Sequence, residues 1–406
     1  MPSTRTAVSY PSGSGCWPSI FVSCLGNGPI GMKESSAAEE RAMSDFFKQL
    51  LQGMRQHYRN QHRDNFDFEI RPHNSPYAVK AEKRLALEKE LAELLNGGQS
   101  ALIFPSIHGG DYFLEHIEAF EPMYEMLGDT QSRKRYIEVL LYKILGFTKV
   151  KLSLNTPEFW EQRAEIARCE GDLTIEANFR ESCLHLYDLR SIGFDVSMFL
   201  FKNGIFVDFV LEQYRYQDHV CVEKGDIVIE GGGCWGDTAL YFAEKGAGRV
   251  YVFEFIPSNV AILRQNLNLN PQHDSAIHII EHPMWERSDL QLSYRDKGPA
   301  SQVGAEGEFA DVIETLSIDD LYRREALEHV DFIKMDIEGA ELSALKGAAN
   351  TIRTHKPKLA ISVYHKYDDM IEIPRYLHSL CPEYRFYFDY YTIIGTEFVL
   401  YAVCPG

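Results

Sequence analysis

The sequence predicts a doubly wound α/β sheet finished by an antiparallel hairpin and preceded by a mainly helical domain. Three observations carry this expectation. Residues 225–254, GDIVIEGGGCWGDTALYFAEKGAGRVYVFE, read as a strand, a glycine loop, a helix and a second strand. Apolar strand runs then alternate with helical patterns as far as residue 363, which is how parallel strands joined by crossover helices look in sequence. Residues 385–391 and 397–403 are two further strand runs with so short a connection that they must pair antiparallel.

Taken in order, residues 1–40 are rich in Ser, Gly, Pro and Ala without a periodicity that defines a core, so a loose tail is expected, with Met32 or Met43 as an alternative start. Residues 41–190 are expected to form the mainly helical domain. Phe47, Leu50, Leu51, Met54 and Tyr58 mark one helix face, and Leu87, Leu91, Leu94 and Leu95 another. Residues 101–104 read as a short strand. A third helix spans residues 129–146, with Asp129 or Thr130 as cap and Gly146 as stop. Residues 149–154 alternate like a strand, and residues 196–201 and 205–210 read as a hairpin turning at Asn203 and Gly204. The α/β domain is assigned to residues 191–406. Its buried strand at 226–229 enters the glycines, and Ala239, Leu240, Phe242 and Ala243 supply the following helix. After the strand at 250–253 come helix 259–268, strand 277–280, helix 318–327, strand 332–335, helix 340–352 and strand 359–363.

The chain has 406 residues, 45% of them hydrophobic, enough for two or three domains with real cores. Fifty-nine acids against 41 bases leave a net charge of −18, which disfavours nucleic acid and anionic membranes as partners. The eight cysteines are scattered without a C-x-x-C or a metal-ligand spacing, as expected of free thiols in a reducing compartment. With no apolar run long enough to span a bilayer, a cytoplasmic protein without stable membrane insertion is expected.

Gly231, Gly233 and Gly236 satisfy G-x-G-x-x-G, with Glu254 at the tip of the next strand. That pattern fits a dinucleotide fold. However, Glu230 ends the first strand, and a carboxylate there repels a pyrophosphate. S-adenosylmethionine carries a sulfonium and an ammonium and no phosphate, so the charge of the loop favours a methyl donor. Glu254 suits the two hydroxyls of a ribose. Asp336 and His365 follow the fourth and fifth parallel strands, where an open α/β sheet holds its ligands, and both residue types can take a proton from an acceptor hydroxyl.

The segments Leu211-Glu212-Gln213-Tyr214, Glu230-Gly231-Gly232-Gly233-Cys234-Trp235-Gly236-Asp237-Thr238, Val252-Phe253-Glu254-Phe255-Ile256-Pro257-Ser258-Asn259 and Phe332-Ile333-Lys334-Met335-Asp336-Ile337-Glu338-Gly339-Ala340-Glu341 resemble the FkbM family of S-adenosylmethionine-dependent methyltransferases. The resemblance extends from about residue 127 to Cys404, with Glu230 in place of the commoner Asp and Phe255 in place of the commoner Pro. It implies a class I methyltransferase, Rossmann-like fold. It further implies that Glu230, Gly232 and Gly236 hold the methionine part of the donor, Glu254 the ribose, and Met284 and Trp285 the adenine. Glu338 becomes a secondary site residue. The expected reaction is O-methylation of a small-molecule or glycan acceptor, a sugar or a secondary metabolite, with Asp336 or His365 as base. Asp336, Glu338 and His365 also have the chemistry of a Mg²⁺ site, but no two are spaced as a recognised metal loop, so no metal is assigned. An NAD(P)-dependent oxidoreductase and a non-catalytic binding module are the alternatives.

Overall fold

A computed structural model describes residues 43–57, 59–60, 62, 110–146, 149–179, 182–299, 301–304 and 308–405. The tail, the helix expected around Leu87 to Leu95 and the strand expected at residues 101–104 lie outside them.

The N-terminal helices are α1 (Asp45–His57), α2 (Gly110–Glu115), α3 (Glu121–Met126), α4 (Thr130–Leu145) and α5 (Pro157–Glu165). Asp129 caps α4 by accepting from the Ser132 N–H at 2.7 Å, and Gly146 ends it at φ 81°. β1 (Glu170–Ala177), β2 (Ser182–Asp188) and β3 (Ser197–Leu200) then form an antiparallel three-stranded sheet. Two strands therefore fall in the stretch that reads as mainly helical.

The central sheet is built from β4 (Ile227–Gly231), β5 (Arg249–Phe253), β6 (Ile277–Ile280), β10 (Phe332–Met335), β11 (Lys358–Ser362), β12 (Arg385–Tyr390) and β13 (Phe398–Val403). Their order is β12-β13-β11-β10-β4-β5-β6. β11, β10, β4, β5 and β6 are parallel, and β13 runs antiparallel to both β11 and β12. This is the class I methyltransferase arrangement. Alternate residues bury on opposite faces, as a pleated strand requires: Ile227, Ile229, Ile333 and Met335 belong to one core, and Val228, Val250, Val252 and Phe332 to the other. The first core continues without a break into Phe46, Leu50, Tyr136 and Leu140 of α1 and α4. α4 is fastened to the sheet edge where Ser132 Oγ accepts the Phe388 N–H at 3.0 Å.

α6 (Asp237–Glu244) and α7 (Pro257–Leu269) cover the second face, while α8 (Ile318–Arg324), α9 (Glu341–Lys346), α10 (Ala349–His355) and α11 (Asp369–Leu380) complete the crossovers. Between β6 and α8 the chain inserts a small antiparallel sheet of β7 (Gln291–Arg295), β8 (Gln302–Gly304) and β9 (Asp311–Glu314).

Three expectations are corrected. Residues 205–210 are a π-helical turn, and Gly204 sits at φ −62°, so Asn203 and Gly204 do not make the positive-φ turn that a hairpin needs. An apolar run buried on all sides has no period to separate helix from strand. Residues 149–154 pair with no strand among the described residues; Val150 and Leu152 are buried from a loop. The helix expected over 340–352 breaks at Gly347, where a Cβ would lie 2.1 Å from the Trp285 carbonyl oxygen.

Candidate active site

At the carboxyl end of β4 the backbone turns sharply to clear its neighbours. Gly232 has φ +79°, and a Cβ there would lie 1.9 Å from the Asp336 carbonyl oxygen. Only glycine satisfies both constraints. The N–H groups of Gly232 and Gly233 both donate to the Phe253 carbonyl at 3.1 Å, so the loop is tied across the tips of β5 and β10. Gly236, at φ +84°, caps α6 and packs on Leu263.

Above this loop lies a cleft of about 290 Å³, at the strand ends where open α/β sheets bind ligands. Gly232, Glu254, Met284, Trp285, Asp336 and Glu338 line it. Glu230, Gly236 and His365 do not; the imidazole expected to project into the cleft is buried behind Asp336 and Glu338. Glu230 is wholly buried beneath the loop, beside its in-register neighbour Lys334, and accepts from the Thr238 hydroxyl. Burial pushes its carboxyl up to about 6 against the pull of Lys334. Its charge therefore serves the floor of the cleft. The acidity assigned to Glu230 from sequence is supplied instead by Asp208, Asp237, Glu254, Asp336, Glu338 and Glu397, which line the cleft with Lys334 as the sole Lys or Arg among its described lining residues.

Glu254 is buried with Oε1 accepting the Ile256 N–H at 2.8 Å and Oε2 accepting the Asn259 amide at 3.3 Å. It thus fixes the entry to α7 while facing the cleft. Burial raises its carboxyl to about 7, offset in part by these hydrogen bonds. Asp208, from the π-helical turn, and Asp237, from the first turn of α6, are mutual neighbours. Burial first and Asp237 second push Asp208 well above the usual carboxylate range, so the pair shares a proton.

At the other end, Asp336 Oδ2 accepts the Tyr214 hydroxyl at 2.8 Å, and the Tyr364 hydroxyl lies 3.3 Å from both Asp336 oxygens. Tyr364 also donates to Glu397 at 2.9 Å, and the Gln213 amide donates there at 3.1 Å. His365 Nδ1 is 2.9 Å from Glu341 Oε1, and its Nε2 is 3.3 Å from Asp336 Oδ1 and 3.8 Å from Glu338 Oε2. Burial lowers the basicity of this imidazole, but Glu341 and Asp336 together raise it to about 10. Glu338 is held at φ +54°, a strained conformation for a residue with a side chain. Burial raises its carboxyl to about 7, with His365 opposing and Asp336 and Glu341 adding to the rise.

The model of the methyltransferase FkbM domain matches residues 219–386. That stretch contains β4 to β11, the glycine loop and all the acids of the cleft except Asp208 and Glu397. These residues are similar to a methyltransferase FkbM domain. Among solved structures, the methyltransferase FkbM from Methylobacillus flagellatus KT is 22% identical, with a TM-score of 0.47. The match covers 75% of this chain and 64% of that one. Aeropyrum pernix fibrillarin, in complex with S-adenosyl-L-methionine, is 14% identical at a TM-score of 0.33, covering 55% of this chain and 90% of that one. The Bacillus cereus O-methyltransferase in complex with SAH is 15% identical at 0.30, covering 50% and 80%. No curated protein matches the chain.

Within the matched stretch and its flanks, sequence reading missed Asp208, Asp237, Lys334, Tyr214, Tyr364 and Glu397. Two of these had a local signal. Asp208 interrupts the apolar run IFVDFV and Lys334 the buried strand FIKM, and an ionised residue in such a run is rarely buried without a partner. Among the described residues no helix is long and apolar enough to cross a membrane.

Proposed function

We propose that this protein is a methyltransferase that takes its methyl group from S-adenosylmethionine and delivers it to a hydroxyl of a small-molecule or glycan acceptor. The observation that carries the reading is the charge of the cleft. Its described lining offers carboxylates throughout and a single ammonium, Lys334, which already donates to the Gly232 carbonyl at 2.9 Å. Such a lining suits a cationic donor and opposes the pyrophosphate of NAD(P).

The residues fit the donor along its length. Asp208 and Asp237 suit its ammonium, Gly232 allows close backbone approach, and Glu254 suits the ribose hydroxyls. Met284, Trp285, Phe255 and Pro283 give an apolar slot for the adenine. When bound, the donor supplies an electrophilic methyl on sulfur and leaves as S-adenosylhomocysteine.

The chain's own work is to orient a hydroxyl and accept its proton. His365 is already protonated at neutral pH, and Asp336 is engaged by two tyrosines. Glu338 titrates near neutrality and faces the cleft with His365 at 3.8 Å. We assign the proton to Glu338, with Asp336 holding the acceptor in place and His365 positioning these two carboxylates from behind. Calorimetry with S-adenosylhomocysteine and NADH tests the donor. Binding of the first with micromolar affinity and none of the second is expected; binding of NADH alone would sink the reading.

A further inference from the structure

The inserted sheet of β7 to β9 ends in a segment that clamps one wall of the cleft. After β9 the chain runs parallel to the stretch that follows β6. Met284 and Leu316 form a bridge there, the Leu316 N–H donates to the Pro283 carbonyl at 3.0 Å, and the Trp285 N–H donates to the Leu316 carbonyl at 3.3 Å. At the head of this clamp, Nδ1 of His282 lies 2.7 Å from the Glu314 carbonyl oxygen. His282, Pro283, Met284 and Trp285 all line the cleft, so the imidazole stands beside the apolar slot for the adenine.

A carbonyl oxygen only accepts, so the proton of this contact sits on Nδ1. In the neutral ring that leaves Nε2 as a bare acceptor. Nε2 has no hydrogen-bond partner among the described residues. The main chain thus fixes both the plane of the ring and its tautomer, and one lone pair stays open. Phe255, Pro283 and Met284 in the same wall offer apolar contact, which does not tell one purine from another. A lone pair does, because it accepts from an N–H and repels a carbonyl oxygen. Adenine carries an exocyclic amine where hypoxanthine and guanine carry a carbonyl.

We propose that His282 is the specificity-determining residue for the base of the donor: its Nε2 accepts a hydrogen bond from the exocyclic amine of adenine, while the Glu314 backbone carbonyl holds the tautomer. The inference rests on the methyl-donor reading of the cleft and adds to it the selection of adenine over purines with a carbonyl at that position. It also gives the inserted sheet a task. β9 brings the Glu314 carbonyl to the ring, and the pairing of Leu316 with Pro283 and Trp285 keeps the imidazole and the slot in register.

The test is calorimetry of the full chain at pH 8 with S-adenosylhomocysteine and with S-inosylhomocysteine, in which a carbonyl replaces the amine of the base. The first should bind about tenfold more tightly or better, since the second exchanges one hydrogen bond for a lone-pair clash. His282→Ala should weaken S-adenosylhomocysteine by about tenfold and leave the inosyl compound nearly unchanged, so that the ratio falls towards one. Equal affinities in the unaltered protein would overturn the proposal without depending on any variant's folding, and leave the methyl-donor reading standing. A variant that keeps the full ratio, or that loses affinity for both compounds alike, would overturn it too. Failure of both compounds to bind the unaltered protein would remove the methyl-donor reading and the proposal with it.

Discussion

Lys334 Nζ lies 3.4 Å from Glu230 Oε1, 3.3 Å from the Gly231 carbonyl and 2.9 Å from the Gly232 carbonyl, with both side chains almost fully buried. The same ammonium stands 4.9 Å from the centre of the Tyr214 ring. One strand residue of β10 thus ties down the end of β4, the start of the glycine loop and the residue that donates to Asp336. Burial alone lowers a lysine, but Glu230, Asp336, Asp237 and Asp208 raise Lys334 on balance, so it stays charged.

Lys334→Met should therefore destabilise the fold by about 3–5 kcal/mol, because Glu230 is left as an uncompensated buried charge. Glu230→Gln should cost less, since Lys334 keeps its two carbonyl acceptors. Urea unfolding of both variants checks this; equal, small effects would mean that the pair does not anchor the loop.

Gly232→Ala should abolish or greatly weaken donor binding. The added methyl meets a backbone carbonyl at 1.9 Å, which cannot rotate away, and the residue must also hold φ +79°. The dissociation constant for S-adenosylhomocysteine is expected to rise more than tenfold, and an unchanged value would show that the loop does not touch the donor.

The affinity for S-adenosylhomocysteine should depend on pH through Glu254. This carboxyl titrates at about 7 because of its burial. It must be ionised to accept from two ribose hydroxyls, so affinity rises with pH, by up to about tenfold per unit below 7, and levels off above it. Calorimetry from pH 5.5 to 8.5 should give this curve. Glu254→Gln should weaken binding and remove the dependence attributable to this group; a variant retaining the full slope would reassign the titration.

Glu338→Gln should lower kcat by about 10²–10⁴-fold while leaving donor affinity near its original value. The assay is transfer of labelled methyl from the donor once an acceptor is in hand. Loss of donor binding in parallel with activity would move Glu338 from the acceptor end to the donor end.

Much of the sheet and part of the site were legible in the sequence because their causes are local. A buried strand, a glycine loop and an acid at the next strand tip fall within residues 227–254, and their spacing places Gly232 and Glu254 in the cleft. Asp208 was not legible in the same way. Its backbone is a π-helical turn that an apolar run does not distinguish from a strand, and its neighbour Asp237 comes from a different helix. The inserted β7–β9 sheet brings Gly298, Pro299, Ser301 and Val303 to the cleft from a stretch without strong periodicity.

By itself the sequence determined the alternation of strands and helices, the antiparallel finish and the acids at the strand tips, since side-chain period and backbone chirality act over a few residues. Tertiary structure alone decided what those acids are for. It turned Glu230 inward onto Lys334, left Glu254 facing the cleft and set His365 among Asp336, Glu338 and Glu341. Desolvation and Coulomb interaction fix the charge of each group, and both depend on neighbours that packing brings from distant parts of the chain.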